Sequence, residues 1–297
     1  MPLALFLRVP RLVPALLLTL ATLGAGLAQA QSGVGRGAVV TTAQARTELL
    51  AHAPEGVAPG RTVWVGLRIE HKEHWHTYWK NPGDSGLPTE LQWTLPPGVQ
   101  AGEIAWPLPK KLPVGPLMNY GYEGTLLLPV PLTIGSDFKP GLLGQDLAVQ
   151  LRASWLICKT ECIPEEGEYT LRIPLRGSTA LHAALFDATQ QAQPRPLAAA
   201  PASAIRIQGQ NLQLAVAGLP ERLRGQKLEA FPEVADVVNP AAPWTQRWDG
   251  AVWTAELPLA PQRSASPAVL PVVLASGTQG WRVELPVRDA WPATAAP

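Results

Sequence analysis

The sequence predicts an all-β protein built as two consecutive β sandwiches, and three observations carry that prediction. Apolar and polar residues alternate over short runs, as in Thr62-Val63-Trp64-Val65-Gly66-Leu67-Arg68-Ile69, which is the period of a half-buried strand. Pro-Gly, Asn-Pro-Gly and Gly-Ser turns separate such runs at intervals typical of a sandwich. The 32 prolines and 26 glycines suit short strands joined by turns and work against helices.

The elements follow in order. Arg8 and Arg11 precede an uncharged apolar run from Leu12 to Leu27, and Ala28-Gln29-Ala30 has the small-x-small form that a signal peptidase cuts. Residues 1–30 therefore read as a cleavable secretory signal. Pro14, Gly24 and Gly26 interrupt the run, and a spanning helix needs about 20 apolar residues. The mature chain is expected to be soluble, peripheral to a membrane at most. The signal holds two of the 24 basic residues and none of the 23 acidic ones, leaving 22 against 23, a net charge of −1. That balance implies no nucleic-acid or lipid-headgroup partner.

A first β domain is expected over residues 36–176. Its strand patterns lie at Thr62–Ile69, Glu90–Leu95, Leu126–Ile134, Leu147–Leu156 and Tyr169–Leu175, with Pro129 and Pro131 marking the third as an edge or bulged strand. Leu181, Leu185 and Ala188 at helical spacing predict one short helix within Ser178–Gln191, and the Ala/Pro run to Ala204 completes a connecting stretch over 177–204. Strand patterns resume at Ile205–Val216, Lys227–Phe231, Ala251–Leu257, Ala268–Ala275 and Gly280–Val287, giving a second, smaller β domain over 205–289. Residues 290–297 form an Ala/Pro tail expected to be disordered.

The chemistry concentrates in Trp155-Leu156-Ile157-Cys158-Lys159-Thr160-Glu161-Cys162-Ile163-Pro164-Glu165, because Cys158 and Cys162 are the only two cysteines. In an exported protein such a pair is expected to be oxidised to a disulfide. Bridging requires Cα atoms within about 7 Å, whereas an extended strand would hold them about 13 Å apart. The chain turns between them, and strand signals on both sides favour a hairpin. A structural staple is one reading. Closing a five-residue loop, however, stabilises by only about 2 kcal/mol in the loop-entropy model, and a chain of this length has core enough without it. A dithiol switch that forms and breaks without rearranging the fold is the other reading. Glu161, Glu165 and Glu166 outnumber Lys159 and are expected to disfavour a thiolate, so the pair relays electrons between proteins rather than activating small molecules.

His71, His74 and His76 raise a competing reading, a non-enzymatic copper-handling or metal-binding protein, since His74 and His76 share one side of a strand. Two imidazoles rarely suffice for a site, and Trp75, Tyr78 and Trp79 point to packing. No metal or other cofactor is expected. Asn81-Pro82-Gly83-Asp84-Ser85-Gly86 is a double turn, and Ser85 lacks the G-x-S-x-G context of a hydrolase. In Met118-Asn119-Tyr120-Gly121-Tyr122-Glu123-Gly124, the two tyrosines are candidates to lie over a reactive disulfide.

Three of these stretches together carry a resemblance: His76-Thr77-Tyr78-Trp79-Lys80-Asn81-Pro82-Gly83-Asp84-Ser85-Gly86-Leu87-Pro88, the Tyr120-Gly121-Tyr122 loop, and Cys158-x-x-x-Cys162-x-Pro164. The chain resembles the N-terminal periplasmic region of DsbD-type thiol:disulfide interchange proteins, closest to the suppressor-of-copper-sensitivity B-like branch. The resemblance implies an immunoglobulin-like sandwich in the periplasm. Its cysteines would take electrons from a membrane-embedded thiol donor and pass them to oxidised periplasmic thioredoxin-fold proteins. It implies that Cys162 forms the mixed disulfide and Cys158 resolves it, and that Asn119, Tyr120 and Tyr122 form a cap loop shielding the pair. Asn119 stands where better-known members have phenylalanine, and the cysteine spacing is shorter than theirs. The chain ends before any transmembrane or thioredoxin domain, so either the donor is a separate protein or the sequence is part of a longer product.

Overall fold

The computed structural model describes residues 37–140 and 144–293; the signal expected over residues 1–30 lies outside them. Eleven strands build the first sandwich: β1 (Val39–Thr41), β2 (Ala45–His52), β3 (Thr62–His71), β4 (His76–Gly83), β5 (Glu90–Thr94), β6 (Val99–Ala101), β7 (Lys110–Val114), β8 (Leu117–Glu123), β9 (Thr125–Ile134), β10 (Asp146–Cys158) and β11 (Cys162–Pro174). One sheet has the order β1-β2-β3-β9-β6; the other runs β11-β10-β4-β8-β7, with β5 also paired to β10.

The alternation read from the sequence is the alternation of burial. Val63, Val65, Leu67 and Ile69 of β3 face Leu147, Val149, Leu151, Ala153, Trp155 and Ile157 of β10 across one core, as period-2 side chains on two packed sheets must. Pro129 and Pro131 of β9 fall where β6 does not reach, because β6 pairs only with Leu132–Ile134. Their carbonyls accept the N–H groups of Ala105 and Gly102 instead, so no ladder bond needs the N–H that proline lacks. The other face of β9 is apolar because helix α1 (Ala183–Gln191) covers it, Phe186 packing on Leu50 and Leu127.

The second sandwich contains β12 (Arg195–Leu197), β13 (Ala204–Gln208), β14 (Asn211–Val216), β15 (Glu229–Pro232), β16 (Thr245–Asp249), β17 (Val252–Pro258), β18 (Val269–Ser276) and β19 (Gln279–Pro286). Its sheets are β12-β19-β18-β15 and β13-β14-β17-β16, closing on Leu212, Leu214, Trp253, Val272, Val283 and Leu285. The chain is thus all-β, two sandwiches in series. The connecting stretch is itself structured: α1 seals the first sandwich, and β12 pairs in parallel with β19 of the second. Beyond β19, Trp291 donates its indole N–H to the Pro267 carbonyl at 3.0 Å under the Arg263 guanidinium. The expected tail is therefore anchored at its start, and its last four residues, 294–297, lie outside the described residues. The sandwiches touch, since Phe231, Val273 and Ala275 of the second join the core of the first.

Candidate redox site

The β10–β11 ladder runs without a slip from Asp146↔Pro174 to Cys158↔Cys162, so the two cysteines are its final pair. Lys159, Thr160 and Glu161 turn the chain, closed by Lys159 N–H donating to the Glu161 carbonyl at 3.1 Å. Directly opposed residues on antiparallel strands come close enough to bridge, and Cys158 and Cys162 are disulfide-bonded with Cα atoms 4.2 Å apart. The hairpin expected from the flanking strand signals is the one formed. The two sulfurs are not equivalent, for Cys162 is exposed and Cys158 is 3 % exposed.

Parity puts both sulfurs on the outer face, and the strand beside β10 makes the difference between them. Ile157 points into the core, so Cys158 points out of the sandwich, yet it is buried. The cover comes from β4, where His76 pairs directly with Cys158 and therefore shares its face, as does Tyr78 two residues on. The Tyr78 hydroxyl donates to Cys158 Sγ at 2.8 Å and lies 3.6 Å from Cys162 Sγ. Burial raises the Tyr78 pKa above its ordinary value, so the hydroxyl keeps its proton at neutral pH. His76 packs edge-on against Tyr78 at 5.3 Å. Burial lowers the His76 pKa, with Glu123 opposing, which leaves a neutral imidazole beside the disulfide.

A segment from Asp84 to Pro88 lies over the Tyr78 ring. Gly86, at φ +107, passes so close that a Cβ there would sit 2.2 Å from Tyr78 Cε1; only glycine fits both the backbone angle and the space. The segment is pinned to β8. Asn119 Oδ1 accepts from the Ser85 N–H at 3.2 Å and hydroxyl at 3.0 Å, and Asp84 Oδ2 accepts the Met118 N–H at 2.7 Å.

The three expected cap residues divide by face. Asn119 shares the face of Gly121, which pairs with Tyr78, and it holds the covering segment through Ser85. Tyr120 and Tyr122 point the other way, into the core. Tyr120 packs on Phe231 at 5.1 Å, and Tyr122 donates to the Pro107 carbonyl at 2.8 Å. The aromatic side chain against the sulfurs is Tyr78, which the sequence reading took for ordinary packing.

The carboxylates also need correction. Glu165 pairs with Trp155, whose side chain is inward, and accepts from Thr42 at 3.1 Å and the Trp155 indole at 3.0 Å. Glu166 is bound to Arg152 at 2.9 Å. Two of the three acids expected to disfavour a thiolate are thus engaged elsewhere.

The three histidines do not converge. The His71 Nδ1–H donates to the Gly124 carbonyl at 2.7 Å, and its Nε2 accepts from the Thr77 hydroxyl at 2.9 Å. Burial pushes its pKa down to about 4. His74 sits exposed on a turn at φ +69, while His76 is buried against Tyr78. Among the described residues no group of three or more His, Cys, Asp or Glu is placed to hold a metal ion, so the copper-handling reading finds no site in these histidines.

Residues 46–174 match the family model for the N-terminal region of thiol:disulfide interchange protein DsbD. That span holds most of the first core, both cysteines and the covering segment. Among solved structures, the chain is similar to the N-terminal periplasmic domain of ScsB from Proteus mirabilis, with a TM-score of 0.59 and 16 % identity over 85 % of this chain and 98 % of that one. At that identity the likeness is one of fold. The titin domains Z1Z2 align over 84 % of this chain at 13 % identity, but with a TM-score of 0.18 they carry no argument. No curated protein matches the chain.

Proposed function

Taking residues 46–174 as similar to the DsbD N-terminal region, we propose that the chain is a periplasmic disulfide reductase relay. On this reading it is exported by the signal at residues 1–30. It receives two electrons from a membrane-embedded thiol donor and passes them to oxidised thioredoxin-fold proteins. The observation that carries the reading is the asymmetry of the disulfide: an exposed Cys162 at a hairpin tip, bonded to a buried Cys158 that takes a hydrogen bond from Tyr78.

That geometry supports a direction for each step. A donor thiolate attacks Cys162 Sγ, the Sγ–Sγ bond breaks, and the electron pair goes to Cys158 Sγ, which takes up a proton. The donor's second thiol then attacks the mixed disulfide, releasing Cys162 reduced and leaving the donor oxidised. In the second half, the Cys162 thiolate attacks the disulfide of an oxidised partner, and Cys158 resolves the resulting mixed disulfide. The partner leaves as a dithiol and the 158–162 bond is restored. No cofactor enters either half.

The test is the equilibrium reduction potential of the pair, by thiol trapping across glutathione ratios. A value near about −200 mV lies within reach of thioredoxin-like couples and supports the relay; one well below about −300 mV marks an inert structural disulfide and overturns it.

A further inference from the structure

The covering segment is held to β8, and the stretch of β4 that leads into it is held by the other sandwich. Asn81, 2 % exposed, lies in the bulge of β4 between Tyr78 and Gly83, where the pairing with β8 loses its regular step. Its Nδ2 donates to the Pro232 carbonyl at 2.8 Å and lies 3.4 Å from the Val234 carbonyl, both beyond the first sandwich. Its Oδ1 accepts the Gly83 N–H at 3.0 Å, which fixes the turn that launches Asp84–Pro88. Around this joint, Phe231 meets Trp79 at 6.2 Å and Tyr120 at 5.1 Å, both edge to face. Glu233 holds Arg282 at 2.9 Å and Lys80 at 3.5 Å.

Next to the joint, Asn81, Gly83 and Asp84 on one side and Asp236, Val238 and Asn239 on the other line a cavity of about 360 Å³. The segment therefore has room to move on the side where Asn81 ties it down. A chain of contacts thus runs from the backbone of the second sandwich through Asn81 and Gly83 to Gly86, to the Tyr78 ring, and to Cys158 Sγ.

We propose that the second sandwich is a brace which, through Asn81, keeps the covering segment shut over Tyr78 and Cys158 and so confines thiol exchange to Cys162. Asn81 is a positioning residue: it touches no reacting atom and acts through the segment. The proposal rests on the exchange reading above, for which attack at one sulfur and not the other is the point of control.

The experiment uses the reduced full chain and iodoacetamide, with alkylation of each cysteine timed separately by mass spectrometry. In the unsubstituted chain Cys162 should react fast and Cys158 slowly. Asn81→Ala should raise the Cys158 rate about five- to tenfold, the weight of one buried hydrogen bond, and leave Cys162 within twofold. Gly86→Ala, which pushes the segment off Tyr78 without touching the second sandwich, should do the same. Should Asn81→Ala fail to fold, Glu233→Gln loosens the joint isosterically, and a Cys158 rate two- to threefold higher is expected. An unchanged Cys158 rate in the joint variants, or both cysteines accelerating together, overturns the brace. If the disulfide fails to exchange with thioredoxin-fold proteins but Asn81→Ala still exposes Cys158, the relay falls and the brace stands; if exchange proceeds while Cys158 stays shut, the brace alone falls.

Discussion

Replacing Tyr78 by phenylalanine removes one oxygen from the site and little else, because the ring that Gly86 presses upon remains. When a thiolate attacks Cys162, negative charge develops on the departing Cys158 sulfur, the atom that the Tyr78 hydroxyl contacts at 2.8 Å. A hydrogen bond to a neutral acceptor contributes about 0.5–1.5 kcal/mol and one to a charged acceptor about 1.5–3. The bond therefore strengthens by roughly 1–1.5 kcal/mol as the disulfide opens, or about tenfold in rate. Tyr78→Phe should slow reduction of the disulfide by dithiothreitol about tenfold at pH 7. The reduction potential should move by less than about 30 mV, since that shift corresponds to 1.4 kcal/mol between the two end states. Quenching timed aliquots with an alkylating reagent and counting free thiols measures the rate. A rate within twofold of the unsubstituted chain would refute the assignment of Tyr78 as donor to the leaving sulfur. A faster rate, with Cys158 newly open to alkylation, would mean that the hydroxyl was holding the cover rather than assisting the chemistry.

Three further outcomes are expected. Changing both cysteines to serine should leave the fold intact and lower its stability by only about 2 kcal/mol, the entropy of a five-residue loop; unfolding of the double variant at 25 °C, seen by urea titration, would instead mark the bond as a staple. His71 accepts a proton in the unfolded chain near its ordinary pKa of 6.5 but in the folded chain only near 4. Its contribution to stability is therefore whole above about pH 6.5, is lost as the pH falls toward 4, and amounts to about 2–3 kcal/mol. Urea midpoints at pH 7 and pH 4.5 should show this loss, and His71→Gln should flatten it. Gly121→Ala should destabilise by about 3 kcal/mol or more by denaturant titration, because its Cβ would come within 2.1 Å of the Thr77 carbonyl oxygen on the neighbouring strand β4, where Gly121 pairs with Tyr78.

What the sequence made legible, and what it hid, divides along one physical line. Alternation from Leu147 to Ile157 is local, so the inward set of β10 could be read directly, and with it the outward direction of Cys158. The hairpin followed because a short segment between two strand signals has few other ways to bring two cysteines together. The same parity was available for Tyr120 and Tyr122, which flank Gly121 and so share a face opposite to it, and for Glu165, which falls on the inward side with Ile163. Those residues were misjudged for want of applying the period, not for want of signal. Tyr78 is different. Its place beside Cys158 depends on the pairing of His76 with Cys158, two strands far apart in the chain, and its cover follows a bulge beyond Tyr78 that no alternation announces. Cys158 itself poses the sharper problem, since it is buried although it points away from the core. The core between the two sheets cannot supply that burial; it comes from Tyr78 on the outer face of β4, from the Gly86 segment above it and, through Asn81, from the second sandwich. A strand pattern can say where a cysteine points, but the shelter of this one is a tertiary property, and the difference between a staple and a switch lies in that shelter.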